Sequence, residues 1–297
     1  MGVKKLIFRL LPVTVFVSLR SKYRLILKAV YKPLTETDFI NILTKRMGIN
    51  KGDVVFIHCS VDALNIRFSA YRLLEILLDT VGPDGTLVFP AWHFTYRAED
   101  YLKQDKIFNV RKSPSALGLL SELARRHKDA VRSIHPTTSI VAIGKKAVEI
   151  TSEHGKTIYP CDENSPFYKL LECNGKIVGL GVDTNFLSFV HCPEDIMKGH
   201  FPIKTRTDKV YDAKVIDNKG NTRIIKTLAA HEQIKFRDIN HFLKNNISNE
   251  VCENFAYKGN RFFIADASRL YNRIVELSNQ NITIYTNKAV IRNIPKS

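Results

Sequence analysis

The stretch Val54-Val-Phe-Ile-His-Cys-Ser60, together with the segments that follow it, decides the fold. Its first four residues form a continuous apolar run, which is typical of a parallel strand covered on both faces. Residues 70–81 carry apolar side chains at helical spacing, and the turn Gly82-Pro-Asp-Gly85 leads into a second apolar run, residues 86–89. This order predicts a β-α-β unit, and therefore an α/β protein.

Similar patterns continue along the chain. Thr35 is the expected N-cap of a first helix. Other strands are predicted at residues 139–144, 175–181 and 282–286, other helices at 117–127, 145–154 and 267–278, and a hairpin at 209–216 and 222–227. We therefore expect an α/β fold with a mixed, largely parallel central sheet flanked by helices, followed by a β-containing C-terminal region. Residues 34–297 are predicted to form a single domain.

The charge of the chain favours anionic partners. Its 297 residues carry a formal net charge of +16, which suits nucleotide diphosphates, nucleic acid or an anionic membrane face. The basic residues beyond the N-terminus are dispersed and no nucleic-acid-binding module is recognisable, so we expect no nucleic acid partner.

Residues 1–33 form a basic, amphipathic extension. Between residues 1 and 31 there are seven Lys or Arg and no Asp or Glu. The uncharged part, residues 10–19, is about half of the roughly 20 residues that a bilayer span requires. Three interpretations remain open: a segment at an anionic membrane surface, a helix packed on the domain, and a signal peptide.

The cysteines indicate a reducing compartment. The chain has five cysteines and no CxxC pair, which favours the cytoplasm, with the inner face of the membrane as an additional location if residues 1–32 bind lipid. His58, His135 and His191 match no short metal-ligand motif, so no metal is expected. A homo-oligomer is compatible with the sequence.

A histidine and a carboxylate follow the strand predicted at residues 175–181. His191, Cys192 and Glu194 lie in the short helix or turn after it, and strand ends of α/β sheets are common places for acid/base chemistry. A neutral imidazole, with an ordinary pKa of about 6.5, can accept a proton as a general base. Alternatively, His191 binds a backbone carbonyl. Cys192 is either a buried apolar side chain or a nucleophile that forms a covalent intermediate.

The loop after residues 86–89 is rich in aromatic residues. Trp92 and His93 lie in it, at a strand end where ligands bind in open α/β sheets. Both are candidate substrate contacts. Trp92 either stacks on a sugar or adenine ring or belongs to the core.

An ordered set of motifs resembles the aminoglycoside 3-N-acetyltransferase family, from about residue 34 to near the C-terminus. The motifs are His58-Cys-Ser60, Val81-Gly-Pro-Asp-Gly-Thr-Leu-Val-Phe-Pro90, Ser113-Pro-Ser115 with Gly118 and Glu122, Arg132-Ser-Ile-His-Pro-Thr-Thr-Ser139, Ser165-Pro-Phe-Tyr-Lys-Leu170, Gly179-Leu-Gly181 and His191-Cys-Pro-Glu194. The set as a whole is specific, whereas no single motif is.

This resemblance implies an acetyl-coenzyme A-dependent N-acetyltransferase that transfers acetyl directly. His191 occupies the position of the family's general base, and Glu232 is the best local match to the glutamate that partners it, with Glu194 as the alternative. Glu194 is also a candidate contact of the substrate amine. The resemblance also implies a coenzyme A site, whose candidate residues in this chain are His58, Cys59, Ser60, Arg132, Ser133 and Ser139.

The substrate expectation follows from charge. A strongly basic protein disfavours a polycationic antibiotic at long range. We therefore expect an amine on an anionic handle, such as a nucleotide-linked amino sugar used in surface polysaccharide biosynthesis. The alternatives are an aminoglycoside 3-N-acetyltransferase, a hydrolase of acyl thioesters, and a basic protein that binds nucleic acid or membrane.

Overall fold

The computed structural model describes Leu27 and residues 29–291. The basic extension predicted for residues 1–33, and with it the predicted membrane association, falls almost wholly outside these residues. Among the residues described, no helix combines the length and the apolar character needed to cross a bilayer.

Helices and strands alternate along the chain. In order they are α1 Glu36–Asn41, which continues as one π-helical turn over Ile42–Arg46, β1 Val54–Cys59, α2 Ala70–Val81, β2 Thr86–Pro90, α3 Ala98–Leu102, β3 Phe108–Asn109, α4 Leu119–Arg126, β4 Val131–Arg132, β5 Ile140–Gly144, α5 Ala147–Thr151, α6 Pro166–Glu172, β6 Lys176–Leu180, α7 His191–Met197, β7 Arg206–Ile216, β8 Thr222–Ala230, α8 Ile239–Asn246, β9 Cys252–Tyr257, β10 Asn260–Asp266 and α9 Ala267–Asn279.

The main sheet has seven strands in the order β4-β5-β2-β1-β6-β10-β9. Its three central strands, β2, β1 and β6, run parallel, and the strands on both sides are antiparallel to their neighbours. The expected α/β class with a mixed central sheet is confirmed. The β-α-β unit supplies two of the parallel strands, β1 and β2, and β6 is the third. Parallel neighbours need a long crossover connection, which α2 provides between β1 and β2.

Apolar side chains cover both faces of this sheet. Along β1, Val54 and Phe56 belong to one buried cluster, whereas Val55 and Ile57 belong to another. Successive side chains of a strand point to opposite faces, so a strand with two covered faces needs a continuous apolar run. Burial of each aliphatic or aromatic side chain of this kind stabilises the folded protein by about 1.5–3 kcal/mol relative to an exposed side chain.

A second sheet, β3-β7-β8, contains the predicted hairpin. The turn is closed by Asp217, whose Oδ1 accepts the backbone N–H groups of Lys219 and Asn221, both at 2.9 Å. Gly220 has φ +89°, a left-handed conformation that glycine adopts without steric cost. The hairpin prediction is confirmed, with strands longer than expected.

Local signals near chain turns differ in their outcome. Thr35 caps α1 as predicted, since its side chain accepts the Asp38 N–H while the Asp38 carboxylate accepts the Thr35 N–H. The strand predicted at residues 282–286 is wrong. That segment makes only an isolated bridge between Tyr285 and Arg237, because its β-favouring residues pack against a turn rather than a sheet edge.

Candidate active site

The carboxyl ends of the central parallel strands meet at one edge of the sheet. In the pairing of β1 with β6, His58 lies beside Gly179 and Cys59 beside Leu180. The loop that carries Trp92 and His93 leaves the same end of the neighbouring strand β2. Three predicted site segments therefore share this edge, which is where open α/β sheets bind ligands.

Two glycines permit the close packing at the end of β6. A Cβ on Gly179 would lie 2.1 Å from atoms of the Phe263 ring, and a Cβ on Gly181 would lie 2.6 Å from the Ser60 carbonyl oxygen. Gly181 also has φ +72°. The chain can consequently turn beside Ser60 and continue towards His191.

His191 is the first residue of α7 and remains accessible. The residues on either side, Val190 and Cys192, are fully buried, which fixes the start of the helix against the core. The side chain of His191 is 22% exposed. An imidazole in this position is held by its neighbours and can still contact a bound substrate.

Glu194 orients the imidazole. Its carboxylate Oε2 lies 2.7 Å from His191 Nδ1, and its side chain is 1% exposed. The two residues are three positions apart on one helix, a spacing that places side chains on the same face. A carboxylate acceptor fixes the proton on Nδ1, which leaves Nε2 as the basic nitrogen. The pair has the base-and-orienter geometry of acyl-transfer sites.

Tyr285 completes this arrangement from the opposite side of the carboxylate. Its hydroxyl donates to Glu194 Oε1 at 2.8 Å. Burial and the charge of Glu194 raise the pKa of Tyr285 well above its usual value, although Arg237 and Arg206 oppose the shift. The tyrosine is therefore a neutral donor. Sequence reasoning missed it because it lies 91 positions from Glu194.

A buried ion pair anchors the same helix. Arg206 Nε and Nη2 donate to the two carboxylate oxygens of Asp195 at 2.6 and 2.7 Å, and Asp195 is fully buried. Asp195 also accepts the Cys161 backbone N–H at 2.8 Å. A bidentate pair of this kind is directional, so it fixes α7 relative to β7. No sequence signal identified it.

The structure does not place Glu232 beside the imidazole. Its side chain is 64% exposed and lies 3.5 Å from Lys235 Nζ. Glu232 lines a surface groove of about 410 Å³ with Arg97, Lys235 and Arg237. The expected pairing with His191 is corrected to Glu194, because the three-residue helical spacing delivers a carboxylate that the distant segment does not.

Arg132 is not available to a coenzyme A phosphate. It is 5% exposed, and its guanidinium donates to the carbonyl oxygens of Ala91, Ser113 and Val110. It also lies over the Phe108 ring, 4.7 Å from the centroid. Burial lowers its pKa to about 9. The prediction of a phosphate contact is corrected: this arginine joins loops at the sheet edge.

Ser133 and Ser139 belong to the same internal network. Ser133 Oγ accepts the Ile140 N–H at 2.9 Å and lies 2.9 Å from His154 Nδ1. Ser139 Oγ donates to the Ala91 carbonyl at 2.9 Å. Both serines are buried, and their bonds are made within the protein. Their predicted contact with coenzyme A is therefore corrected as well.

The end of β1 presents a different environment. His58 is 6% exposed, and burial lowers its pKa to about 3. Its Nε2 has no hydrogen-bond partner within the described part of the chain. Ser60 is half-buried at the strand end, with its N–H donated to the Leu180 carbonyl at 2.9 Å. These residues remain candidate contacts for a bound group.

Trp92 and His93 separate in the structure. Trp92 is partly buried and packs against the large apolar cluster. The His93 ring stacks on Phe108 with centroids 4.7 Å apart and meets Tyr101 edge-on. Burial and the charge of Arg132 lower its pKa to about 4. His93 is thus a neutral ring in an aromatic box, and a substrate contact by either residue stays a prediction.

The cysteines at this edge are poor nucleophiles. Cys192 is fully buried, and burial raises its pKa well above the usual value. Burial likewise raises the pKa of Cys59, with Asp62 adding to the effect. Since the thiolate is the reactive form, this environment disfavours an acetyl-enzyme. Across residues 29–291, no three His, Cys, Asp or Glu side chains converge as metal ligands.

Fold and site together define the class: an α/β protein with a histidine–carboxylate pair on the helix that follows β6. Residues 56–278 match the profile of the aminoglycoside 3-N-acetyltransferase family. The chain therefore belongs to this family, whose members are acyltransferases.

Similarity to individual proteins agrees with this assignment. The chain is 27% identical over 192 residues to aminoglycoside N(3)-acetyltransferase III of Serratia marcescens, covering 60% of this chain and 69% of the relative. It is 28% identical over 189 residues to the type VII enzyme of Streptomyces paromomycinus, covering 57% and 63%. The matches thus span about two thirds of each relative.

Solved structures share the fold. The aminoglycoside acetyltransferase AAC(3)-Xa superposes with a TM-score of 0.71 and 20% identity, covering 90% of this chain and 99% of its own. AAC-IIIb in a binary complex with coenzyme A superposes with a TM-score of 0.68 and 20% identity, covering 85% and 99%.

These relatives correct the expected substrate. They are aminoglycoside acetyltransferases, and nothing in the comparisons points to nucleotide-linked amino sugars or polysaccharide biosynthesis. The charge argument failed because it used the whole chain. Residues 56–278 hold 31 Lys or Arg and 26 Asp or Glu, a net charge of +5 out of +16.

Proposed function

We propose that this protein transfers an acetyl group directly from acetyl-coenzyme A to an amine of an aminoglycoside. The observation that carries the proposal is the His191–Glu194 pair, 2.7 Å apart on the helix that follows β6. The family assignment and the names of the relatives support the substrate class. The neighbour solved with coenzyme A supports the acetyl donor.

His191 is the proposed general base. The amine nitrogen attacks the carbonyl carbon of the thioester while His191 Nε2 takes a proton from that nitrogen. The tetrahedral species collapses, the carbon–sulfur bond breaks, and the imidazolium returns the proton to the departing thiolate. The products are the N-acetylated amine and free coenzyme A. The Glu194 carboxylate stabilises the imidazolium between the two proton transfers, as the aspartate does in a Ser-His-Asp triad.

The end of β1 is the best place for coenzyme A among the predicted residues. Ser60 is half-buried beside Gly181, and His58 Nε2 is a buried nitrogen that makes no hydrogen bond within the described residues. A buried nitrogen without a partner is costly unless a bound group satisfies it. We propose that these two residues contact the acetyl donor. Arg132, Ser133 and Ser139 do not fit that role.

A coupled thiol-release assay tests the function. The purified protein is supplied with acetyl-coenzyme A and, separately, an aminoglycoside with a free 3-amine, a nucleotide-linked amino sugar, or no amine. Thiol release that requires the aminoglycoside, with one acetyl group gained by the antibiotic in mass spectrometry, is the expected result. Equal release without any amine would identify a thioester hydrolase instead.

A matched pair of carboxylate variants tests the assignment of the base. Glu194→Gln should lower kcat by roughly 10- to 100-fold, because it removes the charge that stabilises the imidazolium. Glu232→Gln should leave kcat within about twofold, since its carboxylate is exposed and screened. A reversal of these two results would restore Glu232 as the partner.

A further inference from the structure

The C-terminal segment, residues 282–291, lies against the turn formed by residues 232–238. Backbone hydrogen bonds join Asp238 N–H to the Ile284 carbonyl at 2.7 Å and Thr286 N–H to the Phe236 carbonyl at 3.0 Å. Gln233 Oε1 accepts the Val290 N–H at 2.6 Å. The segment is therefore fixed at both ends, although it adds no strand to either sheet.

This attachment places one side chain of the segment in the core. Tyr285 is 8% exposed, and its ring meets Phe201 edge-on with centroids 6.3 Å apart. Its hydroxyl reaches the buried Glu194 carboxylate at 2.8 Å, on the oxygen that His191 does not contact. Each carboxylate oxygen thus has one donor, and the second donor comes from outside residues 56–278, which match the family profile.

We infer that Tyr285 is a positioning residue for catalysis, acting on His191 through Glu194; this inference rests on the proposed N-acetyltransferase activity. A buried carboxylate with a single donor would be poorly stabilised. The hydroxyl fixes the rotamer of Glu194 and supports its negative charge, so that the carboxylate holds His191 with Nε2 directed to the substrate. The C-terminal segment is consequently part of the active centre.

The charged groups near the pair set the expected pH effect. Arg206 and Arg237 lie close enough to influence Tyr285, and Glu194 in turn acts on the buried Cys161 thiol. A variant that lacks only the Tyr285 hydroxyl keeps both arginines. It loses one hydrogen bond to Glu194, so the negative charge of that carboxylate is less well stabilised. The His191–Glu194 pair then takes up a proton more readily. The acidic limb of the pH–kcat/KM profile should move to higher pH.

Tyr285→Phe tests this with little change of volume. We expect kcat to fall roughly 10- to 100-fold, the range for a hydrogen bond to a charged group, with KM for both substrates within about twofold and the acidic limb displaced upward. Tyr211→Phe is the matched control, because Tyr211 donates to Glu99 at 3.1 Å in the second sheet. The control should keep the wild-type kcat and pH profile.

A double-mutant cycle separates positioning from a purely structural role. In a Glu194→Gln background, Tyr285→Phe should change kcat by less than about threefold, since its effect passes through the carboxylate. A full loss in both backgrounds, or a wild-type pH profile in Tyr285→Phe, would overturn the inference. Thermal unfolding of each variant establishes that it is folded. If wild-type protein transfers no acetyl group, the proposed function fails instead, which is a distinct result.

Discussion

The His191–Glu194 pair and the contacts of Arg132 each hold a basic side chain by hydrogen bonds, and they differ in how much of that side chain remains accessible. The His191 side chain is 22% exposed and uses one nitrogen for Glu194. Arg132 is 5% exposed and donates to three carbonyl oxygens. A catalytic site needs a polar side chain that is fixed in position and still has an atom that can contact the substrate. His191 meets this condition, whereas Arg132 joins the segments that contain Ala91, Val110 and Ser113.

Replacement of His191 should give the largest loss of activity, as expected if this side chain contacts the substrate. His191→Ala is expected to lower kcat by about 10²- to 10⁴-fold, the usual contribution of a general base. Affinity for coenzyme A, measured by calorimetry, should stay within about twofold. Retained turnover would remove the histidine from the mechanism.

Loss of Arg132 should act on stability and not on cofactor binding. Arg132→Met removes the guanidinium donor from three carbonyl oxygens, of which, among the residues described, only that of Ala91 keeps another donor, the Ser139 hydroxyl. We expect the free energy of unfolding to fall by about 2–4 kcal/mol. Arg126→Met is the control, because Arg126 is 70% exposed in its pair with Glu122. Urea denaturation measures both.

The opposite outcome for Arg132 would break the comparison. If Arg132→Met kept wild-type stability and lost coenzyme A affinity more than tenfold, the arginine would be a phosphate ligand after all. The two regions would then both be parts of the binding site.

Acid should weaken the buried network selectively. His154, which lies 2.9 Å from Ser133 Oγ, is buried, and burial lowers its pKa to about 4 from 6.5. Between pH 6.5 and about pH 4 the His154 ring is protonated in the unfolded chain but not in the folded protein. Stability is therefore complete above pH 6.5 and falls between pH 6.5 and 4, by about 1.4 kcal/mol per pH unit for this group.

Denaturation curves at several pH values between 7 and 4 check this slope. His154→Asn removes the titrating ring and should flatten the dependence relative to wild type. An unchanged slope in the variant would show that other groups cause the acid sensitivity. His58, whose pKa burial lowers to about 3, remains in both proteins and contributes equally.

Cys192→Ala should have the smallest effect on activity. The thiol next to His191 is fully buried, so we expect kcat within about twofold and a loss of stability of about 1 kcal/mol from the smaller side chain. Mass spectrometry after incubation with acetyl-coenzyme A should find no acetylated Cys192. Its detection would replace direct transfer by a covalent route.

Much of the fold could be predicted from local pattern. The apolar run of β1, the helical spacing of α2 and the Asp217 turn each depend on residues that are close in sequence. The segment at residues 282–286 could not, because its pattern suits a strand and only its packing on residues 232–238 decides otherwise. A segment with strand propensity forms no strand when it does not lie beside a sheet edge with which it can pair.

The site divides in a similar way. His191 and Glu194 could be placed together because a helix brings residues three apart onto one face. Arg132, Ser133 and Ser139 resembled a binding motif, yet the carbonyl oxygens that bind them come from distant loops. Sequence shows which polar groups exist but not which acceptors the folded chain has already supplied.

By itself the sequence determined the α/β class, the turn chemistry and the three-residue spacing of His191 and Glu194, because hydrophobic period, glycine positions and helical spacing are local properties. The tertiary structure alone decided that Glu194, and not Glu232, lies beside His191, and that the Tyr285 hydroxyl donates to Glu194. It also decided that the buried Arg132 guanidinium donates to carbonyl oxygens of the protein itself. Hydrogen-bond partners and burial depend on contacts between distant residues, which no local pattern encodes.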